Sequence, residues 1–67
     1  MTLGHTIKKL RMSQMLTQRK LAQMAGVTAS ALNHIELDKG KPSFETLQKV
    51  AQALNMKVWE ILKETDI

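Results

Sequence analysis

Several residue types that shape other small proteins are absent or scarce in this 67-residue chain. It contains no cysteine, which excludes disulfide bonds and cysteine-based zinc sites. No apolar run approaches the roughly 20 residues that cross a bilayer, and the basic start of the chain lacks the continuous apolar stretch of a signal peptide. Only one proline, one phenylalanine and one tryptophan are present. We therefore expect a cytoplasmic protein with no membrane partner.

An enzymatic function is not expected either. The two histidines, His5 and His34, fall on different predicted helices, and no spacing typical of metal ligands occurs. A chain this short cannot enclose a pocket of about 300 Å³ or larger in addition to its core. We expect a single domain over residues 1–67, with no catalytic residue, metal or cofactor.

The charge is positive and unevenly distributed. The formal net charge is +4, and residues 1–41 hold seven Lys or Arg against two acidic residues. Residues 42–67 hold three Lys against four acidic residues. Such an asymmetry indicates a polyanionic partner for the basic part, although small soluble proteins are often mildly basic without one.

Helical periodicity dominates the chain and predicts an all-α fold of five helices. The first runs from a Thr2 cap to about Gln14, the second covers Gln18–Ala25, the third Ala29–Leu37, the fourth follows Ser43, and the fifth covers Val58–Lys63. The fifth helix is expected to bury Ile61 and Leu62. Thr17, Thr28 and Ser43 are expected to cap the helices that follow them.

The second and third helices are short and are joined by a tight turn. Gly26 lies where a left-handed residue ends a helix, and Ala22 and Ala25 allow the two helices to approach closely. This is the pattern of a helix-turn-helix, whose second helix can enter a major groove. Many other helical hairpins share the pattern, so it is only moderately specific.

Four blocks of sequence carry a family resemblance. In order, they are Leu16–Ala22 (LTQRKLA), Ala25–Thr28 (AGVT), Leu32–Glu36 (LNHIE) and Lys41–Leu47 (KPSFETL). With this order and spacing, the chain resembles the phage Cro/repressor-type (XRE) helix-turn-helix family from about Ile7 to Leu62. The resemblance implies a compact five-helix lambda-repressor-like domain that binds double-stranded operator DNA as a homodimer, and a transcriptional regulator whose expected effect is repression.

The expected phosphate contacts follow from the resemblance and from helix electrostatics. The resemblance places the start of the second helix on the DNA backbone, where helix N–H groups favour anions, so Gln18 and Arg19 are candidates. Lys39 and Lys41 follow the third helix and are the other two. Each of these side chains could instead be solvated, and cations after a helix are well placed without a ligand.

The third helix presents a polar face opposite Leu32 and Ile35. The candidates for base contacts on this face are Thr28, Ala29, Ser30 and Asn33. Asn33 can pair bidentately with adenine, the two hydroxyls can bond base edges or phosphates, and the Ala29 methyl can meet a thymine methyl. Because this face carries no Arg or Lys, we expect an A/T-leaning half-site. Thr28 could equally serve only as a helix cap.

The resemblance also implies a structural ion pair between Arg11 and Glu36, which would tie the first helix to the end of the third. Three positions depart from the family pattern. Met15 and Asp38 stand where glycine is common, and Lys57 stands where Ser or Thr often caps the fifth helix. A non-glycine residue with positive φ costs about 1 kcal/mol.

Phe44, Met56, Val58 and Trp59 form an apolar group around the last two helices. Trp59 could complete the core, or the group could lie in a two-fold interface, where aromatic anchors are favoured. The resemblance points to a dimer contact near the start of the fifth helix.

A second function remains open: a protein-interaction module on the same scaffold, such as an antitoxin that binds a toxin or another regulator as well as DNA.

Overall fold

The computed structural model describes residues 1–65, which form five α-helices in succession. These are α1 (Leu3–Ser13), α2 (Gln18–Ala25), α3 (Ala29–Glu36), α4 (Phe44–Ala53) and α5 (Val58–Lys63). The described residues contain no β-strand, so the all-α prediction is confirmed. The predicted third helix was one residue too long, because Leu37 is the C-cap of α3.

Side-chain oxygens define where the helices begin. Thr2, Thr17, Thr28 and Ser43 each accept a hydrogen bond from the backbone N–H three residues later. At α5, the capping bond runs the other way, since the Glu60 carboxylate accepts from the Lys57 N–H at 2.8 Å. This reciprocal bond, together with the favourable position of an acid in the first turn, fixes the start of α5 without a hydroxyl cap.

One contiguous core draws residues from all five helices. Its members are Ile7, Leu21, Ala22, Ala25, Leu32, Ile35, Leu47, Val50, Ala51, Leu54 and Ile61. Helix α2 packs against α3 and α4, and α1 packs against α3 and α5. The prediction that Leu62 is buried is wrong, because its side chain is 37% exposed. Successive helical residues point about 100° apart, and Ile61 occupies the core-facing side of α5.

Left-handed residues end several helices. Gly26 has φ 73°, as predicted, and Met15, Asp38 and Asn55 have φ values of 58°, 58° and 59°. Aspartate and asparagine tolerate this conformation better than most residues. Methionine has no short polar side chain that favours this conformation. Met15 in the turn between α1 and α2 therefore lowers the free energy of unfolding by about 1 kcal/mol.

Asp38 joins the start of α1 to the end of α3. Its Oδ2 accepts from the Thr2 hydroxyl at 2.6 Å, and its Oδ1 accepts from the Gly4 N–H at 3.0 Å. Glycine permits this approach, because a Cβ at position 4 would lie 2.3 Å from the Ile35 carbonyl oxygen. The hydrogen bond from Thr2, followed by that from Gly4, lowers the pKa of Asp38 below its ordinary value of 3.8.

The lowered pKa of Asp38 makes stability depend on pH. Because the folded pKa lies below the unfolded one, the ionised carboxylate stabilises the fold above about pH 4, and this contribution is lost as the pH falls through the folded value. We expect Asp38→Asn to lower the free energy of unfolding at about pH 6 and to flatten its dependence on pH below about pH 4. Urea unfolding at several pH values measures both effects. Glu64→Gln, at an exposed site, is the control, and a wild-type pH profile for Asp38→Asn would contradict the prediction.

Candidate nucleic-acid interface

Helices α2 and α3 form a hairpin whose second helix has one face in the core and one in solvent. The turn is closed by the left-handed Gly26 and by a hydrogen bond from the Val27 N–H to the Ala22 carbonyl at 3.0 Å. Leu32 and Ile35 of α3 are buried. On the opposite side of α3 and its C-cap, Ser30, His34 and Leu37 are exposed, as is Ala29 in the first turn. We call this side the exposed α3 face.

The residues expected to contact bases do not all have the same environment. Thr28, Ala29 and Ser30 are exposed. The Thr28 hydroxyl oxygen accepts from the Ala31 N–H at 3.0 Å, so Thr28 does cap α3, while its hydroxyl proton remains available for donation. Asn33 is half-buried at the margin of the exposed α3 face.

His34 was not among the residues expected to contact bases. It is exposed and lies four residues after Ser30, which places the two side chains on the same side of the helix. The spacing of four was the signal in the sequence that could have identified it. A histidine here adds a ring N–H donor to a face that has no Arg or Lys.

The residues expected to contact phosphates precede and follow α3 in the chain. Arg19 lies in the first turn of α2, and Lys39 and Lys41 lie in the loop after α3; all three are exposed. Gln18 has a different environment, because its Nε2 donates to Asn33 Oδ1 at 3.2 Å and to Glu36 Oε1 at 3.0 Å. With both amide protons engaged, the backbone N–H at the start of α2 is the group of Gln18 that remains for a phosphate.

Glu36 is the centre of the polar network behind this interface. Its Oε2 accepts from Arg11 Nε at 2.8 Å, and its Oε1 accepts from Arg11 Nη2 at 3.2 Å. The Arg11 and Glu36 side chains are only 11% and 2% exposed. Arg11 Nη1 also donates to the Leu16 carbonyl at 2.7 Å. The pair implied by the resemblance is therefore in contact, and with Gln18 it joins α1, α2 and α3.

A second feature is an apolar groove on α4 and α5. It has a volume of about 480 Å³, and Phe44, Ala51, Met56, Val58, Trp59 and Leu62 contribute its apolar lining. Phe44 is 67% and Trp59 59% exposed. The alternative in which Trp59 completes the core is therefore wrong. Met56 and Val58 are half-buried and pack against the core from this side.

Among residues 1–65, no helix combines the length and apolar character needed to traverse a bilayer. Nor do these residues contain a cluster of three or more His, Cys, Asp or Glu side chains that could hold a metal ion.

The hairpin of α2 and α3, with its exposed second helix and flanking cations, defines a helix-turn-helix domain. The family model described as HTH_3, helix-turn-helix, matches residues 7–58, and the chain belongs to this family. The resemblance to Cro/repressor-type proteins and the lambda-repressor-like fold class are both confirmed.

Similar proteins are phage repressors and bacterial regulators. The immunity repressor protein of Bacillus phage phi105 is 44% identical over 64 residues, which are 96% of this chain and 44% of that protein. The DNA-binding domain of the P22 c2 repressor has a TM-score of 0.90 at 26% identity, over 96% of this chain and 84% of that one.

The biofilm regulator SinR, solved in complex with DNA, has a TM-score of 0.86 at 34% identity, over 91% of this chain and 98% of that one. The chain spans less than half the length of its curated phage relative.

Removal of Glu36 tests the importance of the buried network. We expect Glu36→Ala to lower the free energy of unfolding by about 3–5 kcal/mol, because it leaves the Arg11 guanidinium buried without a counter-charge. Urea unfolding measures the loss. Glu45→Ala is the matched control, since it breaks an exposed pair with Lys49 at 3.8 Å and should cost less than about 1 kcal/mol. Equal losses for the two variants would contradict the prediction.

Proposed function

We propose that this chain is a sequence-specific DNA-binding domain of a transcriptional regulator, which binds a symmetric operator as a homodimer and represses transcription. The observation that carries the proposal is the exposed α3 face, together with the exposed cations Arg19, which precedes α3 in the chain, and Lys39 and Lys41, which follow it. Membership of the helix-turn-helix family and similarity to a phage repressor support it. SinR, a similar chain, was solved with DNA.

In this proposal, the DNA backbone positions the domain. The N–H groups at the start of α2 point toward a phosphate, favoured by the helix dipole. Cations in the first turn of a helix oppose that dipole by a few tenths of a kcal/mol, so Arg19 gains from a nearby phosphate. Lys39 and Lys41 contact the backbone on the far side of the groove. These contacts set the register of α3 and carry no sequence information.

Base recognition then falls to the exposed α3 face. Ser30 donates or accepts through its hydroxyl, the Ala29 methyl packs on a thymine methyl, and Asn33 contributes its amide. Thr28, whose oxygen already caps α3, donates its proton to a base edge or to a phosphate. His34 is an additional candidate from the same side of the helix.

The apolar groove provides the surface for the homodimer. Aromatic side chains as exposed as Phe44 and Trp59 are typical anchors of an interface. A two-fold axis there would have to set two α3 helices about 34 Å apart, because successive major grooves have that spacing. The domain needs no cofactor and catalyses no reaction in this proposal, and it acts in the cytoplasm.

Selection of duplexes from a random library at about 0.1 M salt tests the function. We expect enrichment of a two-fold symmetric sequence whose half-site centres are about one helical turn apart. Lys41→Ala should weaken binding to the selected duplex and to unrelated duplexes alike, and it should reduce the salt slope by about 1 because one phosphate contact is lost.

Lys8→Ala is the control for this experiment. Lys8 is an exposed lysine on α1, outside the proposed contacts, so its removal should leave both the affinity and the salt slope close to wild type. A folded domain that enriches no sequence would overturn sequence-specific binding. Equal effects of the two lysine variants would remove Lys41 from the interface.

The dimer has a separate test in Trp59→Ala. We expect this variant to shift the protein toward monomer in analytical ultracentrifugation and to weaken binding to a two-half-site duplex more than to a single half-site, because the interface loses an anchor. Met24→Ala, at a side chain 48% exposed on α2, is the matched control and should do neither. An unchanged dimer in Trp59→Ala would show that this groove is not the interface and would direct attention to a different protein partner for it.

A further inference from the structure

The hydrogen bonds of Gln18 determine which way the amide of Asn33 faces. Gln18 lies between the buried carboxylate of Glu36 and the half-buried side chain of Asn33. Its two contacts use the same atom, Nε2. The chain of polar groups therefore runs from Arg11 through Glu36 and Gln18 to Asn33 at the margin of the exposed α3 face.

Donor and acceptor chemistry fixes the direction of this chain. A guanidinium only donates, and a carboxylate paired with it only accepts. Glu36 can therefore meet Gln18 only through the amide nitrogen of Gln18, which has a second proton. That proton requires an acceptor, so Asn33 must turn Oδ1 toward Gln18. Neither amide can be flipped without placing two acceptors or two donors in contact.

Because Oδ1 of Asn33 faces Gln18, the end of the amide that points away from Gln18 is the donor, Nδ2. Asn33 Nδ2 has no hydrogen-bond partner within the described residues. The same residues have no buried side-chain nitrogen or oxygen that lacks a partner, so Nδ2 is in contact with solvent. Nδ2 is thus accessible to solvent at the margin of the exposed α3 face, the surface that the proposed function places in the major groove.

We propose that Gln18 is a positioning residue for base recognition, and that it makes Asn33 a donor to an acceptor edge of the major groove. The inference rests on the proposed function. Guanine presents two adjacent acceptors, N7 and O6, whereas adenine presents N7 beside the N6 donor. Asn33 therefore selects guanine over adenine. The adenine pairing inferred from the sequence needs Oδ1 to face the base, and Oδ1 is directed at Gln18.

The test compares base preference at one operator position in three variants. Asn33→Ala identifies the operator position that Asn33 contacts: it is the position at which this variant, unlike wild type, no longer discriminates between guanine and adenine. We expect Gln18→Ala to reduce discrimination at the same position by about tenfold, because the amide of Asn33 can then present either end. The double variant, Gln18→Ala with Asn33→Ala, should discriminate as well as Asn33→Ala alone, because Gln18 acts through Asn33. Gln23→Ala, an exposed glutamine on the same helix, is the control and should discriminate like wild type.

The outcomes separate this inference from the proposed function. Binding is measured only where urea unfolding shows each variant folded. If wild type selects no duplex, the proposed function fails. If wild type selects a duplex and Gln18→Ala weakens all duplexes equally with its base preference intact, Gln18 does not position Asn33 and the inference fails. A wild-type preference for adenine at the Asn33 position overturns the donor assignment.

Discussion

The buried carboxylate of Glu36 is the group on which the arrangement of α1, α2 and α3 depends. A carboxylate only 2% exposed is tolerated because Arg11 meets both of its oxygens and Gln18 donates a third hydrogen bond. Each of these donors comes from a different helix. Satisfying the carboxylate therefore fixes the position of α3 relative to α1 and to the start of α2, and those are the elements that the proposed DNA contacts require in register.

The same network explains why a glutamine begins α2. A cation at position 18 could also donate to both Glu36 and Asn33, but it would place a second positive charge beside a carboxylate that Arg11 already neutralises. An amide offers two protons in one plane, so it can donate to a carboxylate and to a second amide at once. Gln18 thus connects the buried carboxylate of Glu36 to the margin of the exposed α3 face. In the proposed function, the same side chain serves both stability and recognition.

Features of the fold that depend on local sequence could be predicted, whereas those that depend on distant side chains could not. A hydroxyl residue that precedes apolar residues at helical spacing predicts the starts of α1 to α4, and Gly26 predicts the turn between α2 and α3. The cap of α5 was missed because Glu60, rather than the residue before the helix, supplies the oxygen. Leu62 was misassigned because six residues define a helical face poorly.

The candidate site shows the same limit. The exposure of Ser30 follows from the period of α3, which turns this residue away from the side that carries Leu32 and Ile35. The contact between Gln18 and Asn33 joins positions 15 residues apart, and only the packing of α2 on α3 brings them together. The sequence predicts that both side chains face outward, Gln18 toward a phosphate and Asn33 toward a base, because a helical period describes one helix at a time.

Specificity and assembly are linked in a domain this small. One α3 offers only a few base contacts, each contributing about 1–3 kcal/mol of discrimination at best. Without Arg or Lys on the exposed α3 face, one copy cannot distinguish its site strongly from the many competing sequences of a genome. In the proposed dimer, two copies held together at the apolar groove add the discrimination of both half-sites. The exposed Phe44 and Trp59 would then compensate for the few base contacts that one α3 can make.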